Sequence, residues 1–207
     1  METTEQLKRP PVSLYTEQTP NPESLKFVTN QMLYARRTAD FKENEKELAK
    51  EWSPLASALF EFEFVKAVYI SNNFVTITKE FNFDWSEIML KLKDFLKNYL
   101  IENKEIVKEG FESLKTQLTV EDNQQYSGED AEIVQKIKDM IETYVKPAVE
   151  RDGGNIEFKS YNEGIVTLVM QGSCSGCPSS SVTLKSGIEG MMKRMIPQVT
   201  EVIAYAG

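Results

Sequence analysis

The chain has 207 residues, 41% of them hydrophobic and 27% charged, with a formal net charge of −8. This composition is typical of a globular protein with two domains of about 100 residues each. The acidic charge excludes a general nucleic-acid-binding surface, which needs basic stripes. No apolar run approaches the roughly 18 residues of a membrane span, and residues 1–11 carry no secretory or organelle signal. A cytoplasmic location is therefore expected.

The first unit, residues 12–100, is predicted to contain two β-hairpins and two helices. Four runs with strand-like patterns form the hairpins: 12–16 with 25–28, and 65–70 with 74–78. Ser53 and Asp84 are the predicted N-caps of the helices. Residues 35–52 are highly charged and are expected to be loop or irregular helix. The unit extends to 118 if residues 104–118 continue as a helix.

Residues 119–128 are the clearest linker in the chain, because they lack apolar periodicity and end in a glycine. We place the domain boundary there, so that the second unit spans residues 129–207. This unit is predicted to begin with a helix capped by Asp130 and kinked or ended by Pro147. A hairpin (156–160 with 165–170), a helix (181–196) and a strand (199–205) follow.

The predicted fold class is α+β, with two small domains that each contain a mixed sheet of hairpins packed with two helices. The order of elements in the second domain is α-β-β-α-β. Its last strand-to-helix junction holds both cysteines of the chain, Cys174 and Cys177, in the segment Gly172–Ser180. We call this segment the cysteine loop. Because the chain has no histidine, any thiol or soft-metal chemistry depends on these two residues.

The cysteine loop is predicted to favour thiolates. Gly176 lets the backbone bend so that both thiols face the same way, and Pro178 moves Cys177 away from helical geometry. Ser179 to Ser181 can cap the next helix, whose N-terminal end would then point its positive dipole at the sulfurs. A nearby positive dipole lowers the pKa of a thiol.

Four interpretations of the cysteine pair compete. An iron–sulfur cluster needs four thiolates, which two chains related by a two-fold axis would supply. A closed zinc site also needs four ligands and the same sharing. A dithiol–disulfide oxidoreductase would need only one chain, with Cys174 as nucleophile and Cys177 as resolving thiol. The fourth interpretation is a chance pair, since short motifs occur by accident.

The wider sequence resembles that of two-domain Nfu-type proteins. The second unit resembles the NifU C-terminal (Nfu) domain in these landmarks: Pro147, Asp152-Gly153-Gly154, the cysteine loop, Thr183-Leu184-Lys185, Gly187-Ile188-Glu189 and Ile196-Pro197. The first unit resembles the Nfu N-terminal domain in these: Thr19-Pro20-Asn21-Pro22, Leu25-Lys26-Phe27, Ser53-Pro54-Leu55-Ala56, Leu59-Phe60, Val75-Thr76-Ile77-Thr78-Lys79 and Trp85. The two matches cover most of the chain.

The resemblance implies a non-enzymatic iron–sulfur cluster carrier. In that family the cysteines equivalent to Cys174 and Cys177 ligate a [4Fe-4S] cluster at the interface of a homodimer. The implied partners are apo iron–sulfur client proteins and cluster-assembly proteins, with no nucleic acid and no membrane. The first unit has neither cysteine nor histidine, so interaction with clients or assembly proteins is its expected role.

Three other features have simpler structural interpretations. Asp152-Gly153-Gly154 is expected to be a turn that ends a helix. Met191, Met192 and Met195 recur at helical spacing and are expected in a core or an interface, because thioethers are poor cluster ligands beside thiolates. The Thr19–Pro22 turn fits hairpin geometry, and a docking role is the alternative.

Overall fold

The computed structural model describes residues 11–118, 126–175 and 178–206 and contains two β-sheets with helices, which confirms the predicted α+β class. The predicted tail (1–11) and linker (119–128) lie largely outside these described residues. Two large hydrophobic cores form among the described residues, one from buried residues between 25 and 111 and one from buried residues between 133 and 202, and Val28, Tyr69 and Phe74 form a small third cluster. The boundary at 119–128 stays a prediction.

The first sheet is entirely antiparallel, with strand order β1-β2-β5-β4-β3. Its strands are β1 (Leu14–Gln18), β2 (Ser24–Thr29), β3 (Tyr34–Lys42), β4 (Val65–Asn72) and β5 (Phe74–Lys79). Both predicted hairpins are confirmed, since β1 pairs with β2 and β4 pairs with β5. The prediction of a mixed sheet was wrong for this unit, because all four strand pairings are antiparallel.

Strand β3 was not predicted, since its residues were expected to be loop or irregular helix. Ala39 and Phe41 alternate along it and are fully buried, so one face of the strand enters the core. Arg36 has a positive φ of 56°, and the pairing register shifts between Tyr34 and Thr38. This irregularity, together with the charged residues between the apolar ones, conceals the alternation in the sequence.

Four helices belong to the first unit, where two were predicted. They are α1 (Lys46–Trp52), α2 (Pro54–Leu59), α3 (Trp85–Ile101) and α4 (Phe111–Leu118). Both predicted N-caps are confirmed: Ser53 Oγ accepts a hydrogen bond from the Ala56 amide at 3.1 Å, and Asp84 Oδ1 accepts one from the Ser86 amide at 2.8 Å. Such caps stabilise a helix by about 1 kcal/mol each. Leu92 and Leu96 of α3 pack in the same core as Phe27 of the sheet.

The second unit has the predicted order of elements. Its helices and strands are α5 (Glu129–Met140), α6 (Lys146–Arg151), β6 (Gly154–Asn162), β7 (Ile165–Gly172), α7 (Pro178–Met195) and β8 (Glu201–Ala206). The sheet order is β6-β7-β8, antiparallel then parallel, so this sheet is mixed as predicted. A π-helical turn, Ile141–Val145, separates α5 from α6 immediately before Pro147. The N-cap of α5 is Gly128 rather than Asp130.

The first sheet is buried on both faces. Leu25, Phe27 and Ile77 point into the first core beneath the helices. On the opposite face Tyr69 and Thr76 are each only 1% exposed, although helices α2 and α3 pack in the first core. The second unit contacts this face, as the hydrogen bond from Thr76 to Gly153 shows. The two units therefore meet at the open face of the first sheet.

None of the helices among the described residues is long and apolar enough to span a membrane.

Two buried tyrosines predict a loss of stability in alkali. Burial raises the pKa of both Tyr34 and Tyr99 from 10.0 to about 12, and the nearby Glu105 charge adds to the effect at Tyr99. Since the folded state holds these protons more tightly, their contribution is present below pH 10 and is lost as the pH rises towards about 12. Each group contributes a slope of at most about 1.4 kcal/mol per pH unit.

Urea unfolding at a series of alkaline pH values measures this fall. The Tyr99→Phe variant loses the hydrogen bond from the Tyr99 hydroxyl to the Glu105 carbonyl, 2.7 Å long, and starts from a lower free energy of unfolding. Its decline with pH should nevertheless be shallower, because one titrating group is gone. Parallel curves for the two proteins would contradict the prediction.

Candidate functional site

The cysteine loop lies at the junction between β7 and α7, as predicted. Strand β7 ends at Gly172, a 3₁₀ turn covers Ser173–Ser175, and α7 begins at Pro178. Cys174 lies in the 3₁₀ turn, whereas Gly176 and Cys177 fall outside the described residues. The structure therefore places one of the two predicted ligands, and the position of the other relative to it stays a prediction.

The Cys174 thiol is buried. The residue is 7% exposed and packs into the second core, with the Ser173 hydroxyl 3.8 Å from its sulfur. Burial raises the pKa of this thiol, the Ser173 contact lowers it by a smaller amount, and the charge of Asp152 raises it further. The expectation that the loop favours thiolate is wrong for Cys174 in this arrangement, because desolvation penalises the charged form.

A turn of glycines lies directly against Cys174. A side chain on Gly154 would begin 3.0 Å from the Cys174 sulfur and 2.5 Å from the Gln171 carbonyl oxygen. Gly172 has a positive φ of 65°, and a side chain there would begin 2.7 Å from the Gly153 carbonyl oxygen. Two backbone segments thus approach each other more closely than residues with side chains allow.

Hydrogen bonds hold the turn and the loop together. The Ser173 amide donates to the Gly153 carbonyl at 3.2 Å, and the Ser173 hydroxyl donates to the Asp152 carbonyl. Gly153 also ends α6, with φ of 83° and its amide donating to the Glu150 carbonyl at 3.1 Å. The prediction that Asp152-Gly153-Gly154 is a helix-ending turn is confirmed, and the same turn also positions the cysteine loop.

The first unit contacts the loop through residues that the sequence did not identify. The Asn21 side-chain amide donates to the Ser173 carbonyl at 3.3 Å, and the Thr76 hydroxyl donates to the Gly153 carbonyl at 2.7 Å. The only sequence signal for this contact is the glycine pair itself, because residues without side chains mark places where another segment comes close. The Thr19–Pro22 turn, which carries Asn21, both forms the hairpin and touches the second unit.

No group of three or more Cys, Asp or Glu side chains that could hold a metal ion forms among the described residues of one chain. The methionines behave as predicted for core or interface positions. Met192 is fully buried in the second core, Met191 packs against it, and Met195 is half exposed. The soft-metal ligand type of the cysteine loop is cysteine sulfur, and cysteine thiolates are the usual ligands of iron in a sulfide cluster.

The fold and the site together define a class: a two-unit α+β protein with a paired-cysteine loop at a strand-to-helix junction. Residues 14–103 match the family profile described as "Scaffold protein Nfu/NifU N terminal", and residues 137–203 match that described as "NifU-like domain". The mitochondrial NFU1 iron-sulfur cluster scaffold homolog of Drosophila virilis is 37% identical over 198 residues, which cover 95% of this chain and 63% of that protein.

The human protein of the same name is 37% identical over 187 residues, which cover 90% of this chain and 69% of that protein. The chain belongs to the Nfu/NifU family. It spans 63% of the length of the Drosophila virilis relative. A solution NMR structure of a NifU-like protein from Saccharomyces cerevisiae is 24% identical, covers 53% of this chain and 95% of its own, and has a TM-score of 0.45.

The expectation of a cytoplasmic location was wrong, because these relatives are named as mitochondrial proteins. That expectation rested on residues 1–11 and on the use of cysteine. Reduced thiols require only a reducing environment, so the use of cysteine does not distinguish one reducing compartment from another. The chemistry of the folded units therefore carries no information about location.

The close approach at Gly154 predicts that even a small side chain at this position lowers the free energy of unfolding. Gly154→Ala places a methyl group against the Gln171 carbonyl and the Cys174 sulfur, so overpacking should lower the free energy of unfolding by about 1–3 kcal/mol. The matched control is Gly187→Ala on α7, where nothing lies within 4 Å of the added carbon. This control should gain up to about 1 kcal/mol from helix propensity.

Denaturant unfolding of the two variants measures the difference. If Gly154→Ala is as stable as the parent chain while Gly187→Ala gains stability, the backbone at Gly154 does not approach the loop as closely as described.

Proposed function

We propose that this chain is an iron–sulfur cluster carrier in which Cys174 and Cys177 from each of two chains bind one [4Fe-4S] cluster. The observation that carries the proposal is the thiol count: the chain has two cysteines and no histidine, while a cluster of this type needs four thiolates. Membership of the Nfu/NifU family supports a cluster rather than zinc. The cluster is cargo, and the protein carries it to apo-proteins.

The chain's own contribution is to present the thiols at a symmetric seam. A two-fold axis through the loop would bring the same pair of cysteines from each chain to one place. Helix α7 begins at Pro178, directly after the loop, so the partial positive charge at its N-terminal end favours thiolates that have left the core. Small serine and glycine residues around the cysteines leave space for a cluster.

Transfer to a client is a ligand exchange. Each incoming client thiolate forms one iron–sulfur bond while one bond to Cys174 or Cys177 breaks, and the oxidation state of the metal does not change. The released cysteine thiolates take up protons from water. No group of this chain has to act as acid or base, so the proposed role is non-enzymatic. We further propose a mitochondrial location, on the basis of the names of the relatives.

The alternative, a thiol–disulfide oxidoreductase, has less support from the site. An attacking cysteine must be accessible and partly ionised. Cys174 is buried, and burial raises the pKa of its thiol. The chain has no histidine that could serve as a base. No observation among the described residues favours this function over the carrier.

Anaerobic reconstitution with iron and sulfide tests the carrier. It should give about four iron and four sulfide per two chains, and the chain should dimerise only when loaded. Cys174→Ser should retain little of the iron and remain monomeric. Ser186→Ala, at an exposed position on α7, is the control and should load as the parent chain does.

Iron and sulfide analysis, the absorption spectrum and the mass in solution are the measurements. A tightly bound zinc ion with no cluster formed on reconstitution would overturn the proposal. Steady turnover of a disulfide substrate by the iron-free monomer would favour the oxidoreductase instead.

A further inference from the structure

The open face of the first sheet contacts the first residues of the cysteine loop, Gly172 and Ser173, in its own chain. We define the docking face as Lys26 on β2, Tyr69 on β4, and Phe74 and Thr76 on β5. Alternation along these strands directs the four side chains away from the first core, which takes Phe27, Val75 and Ile77. All four are nonetheless less than 9% exposed. The second unit supplies the cover.

Lys26 provides the strongest polar contact of the docking face. Its ammonium group donates to the carbonyls of Glu150 and Arg151, both at 3.2 Å, at the C-terminal end of α6. The carbonyl end of a helix carries partial negative charge, which favours a cation there. The ammonium also lies 3.0 Å from the Glu17 carboxylate and 4.5 Å from the centre of the Phe74 ring. The buried Lys26 ammonium is thus hydrogen-bonded to the second unit and ion-paired within the first.

Thr76 and Tyr69 contact the two glycine segments near Cys174, Gly153-Gly154 and Gly172. The Thr76 hydroxyl donates to Gly153 at 2.7 Å, and a side chain on Gly172 would begin 2.9 Å from the Tyr69 ring. Asp40, on β3 beside these strands, accepts a hydrogen bond from the Gly172 amide at 3.4 Å. The first unit therefore holds Gly172 and Ser173, which precede Cys174, and the turn at Gly153 that lies against them.

This arrangement conflicts with a site shared between two chains. A cluster bound by two chains must lie outside either core, where thiols from both can reach it. Cys174 is 7% exposed, and its neighbour Ser173 is tied to Asn21 through the carbonyl group. In this arrangement the Cys174 thiol is not accessible to a second chain.

We propose that the docking face is an intramolecular latch: the first unit holds Gly172 and Ser173 in place so that Cys174 stays buried, and release of the latch precedes assembly of the cluster-bridged dimer. The latch itself does not depend on the proposed carrier function. Only the statement that its release precedes assembly of the dimer rests on that function. The latch can open because its hydrogen bonds, from Lys26, Thr76 and Asn21, can be replaced by bonds to water, as in other interfaces between domains. Only the open fraction binds, so the latch lowers the apparent affinity for the cluster by that fraction.

The first test needs no cluster. In the full chain carrying Cys177→Ser, Cys174 is the only thiol, and its rate of alkylation by iodoacetamide reports the open fraction. Lys26→Met keeps the apolar stem but leaves the carbonyls of Glu150 and Arg151 without the ammonium, and should raise the rate about tenfold. Lys66→Met is the matched control, because Lys66 is an exposed lysine on β4, and it should leave the rate unchanged.

Thr76→Val provides a second, nearly isosteric variant that removes only the hydroxyl bond to Gly153. It should also speed alkylation, by a smaller factor, and circular dichroism of each variant shows whether the first unit is still folded. Rates equal to that of the parent in both folded variants would overturn the latch.

The second test separates the latch from the carrier function. With both cysteines present and iron and sulfide limiting, Lys26→Met should form the loaded dimer at about tenfold lower concentrations than the parent and Lys66→Met. Faster alkylation with no cluster in any protein would leave the latch standing and overturn the proposed function. Faster alkylation together with an unchanged iron requirement would overturn the coupling between the latch and the dimer.

Discussion

The close contact between two backbone segments without side chains, Gly153-Gly154 and Gly172, is the constraint on which the rest of the site depends. It lets the first residue of β6, Gly154, pair with the last residue of β7, Gly172. Ser173 can then bond to both Asp152 and Gly153. It also leaves the Cys174 sulfur against bare backbone rather than against solvent. Any side chain at these positions would separate the turn from the loop.

The same contact explains why the first sheet is buried on both faces. An antiparallel sheet usually packs one face on a core and leaves the other to water, and the first sheet packs its helices on one face only. The glycine segments and the end of α6 lie on the other face, where Lys26 and Thr76 satisfy their carbonyl groups. The first unit, which has neither cysteine nor histidine, thereby forms part of the surroundings of Cys174.

Elements with regular patterns could be predicted from the sequence, and those that depend on distant contacts could not. The hairpins follow from alternation around turn residues, and the caps at Ser53 and Asp84 follow from local hydrogen bonding. Strand β3 was missed because the bulge near Arg36 interrupts its alternation. The ionisation of Cys174 was misjudged because the helix dipole is visible in the sequence, whereas burial by other elements is not.

By itself the sequence determined the thiol chemistry that is available: two cysteines and no histidine place every thiol of the chain in the cysteine loop, within the residue order of an Nfu/NifU protein. The number of thiols per chain can be counted directly in the sequence. Only the tertiary structure decided that Cys174 is buried, that Asn21 and Thr76 bond to Ser173 and Gly153, and that Lys26 bonds to the end of α6. Those contacts join residues more than 75 positions apart, and no local pattern in the chain encodes such a pairing.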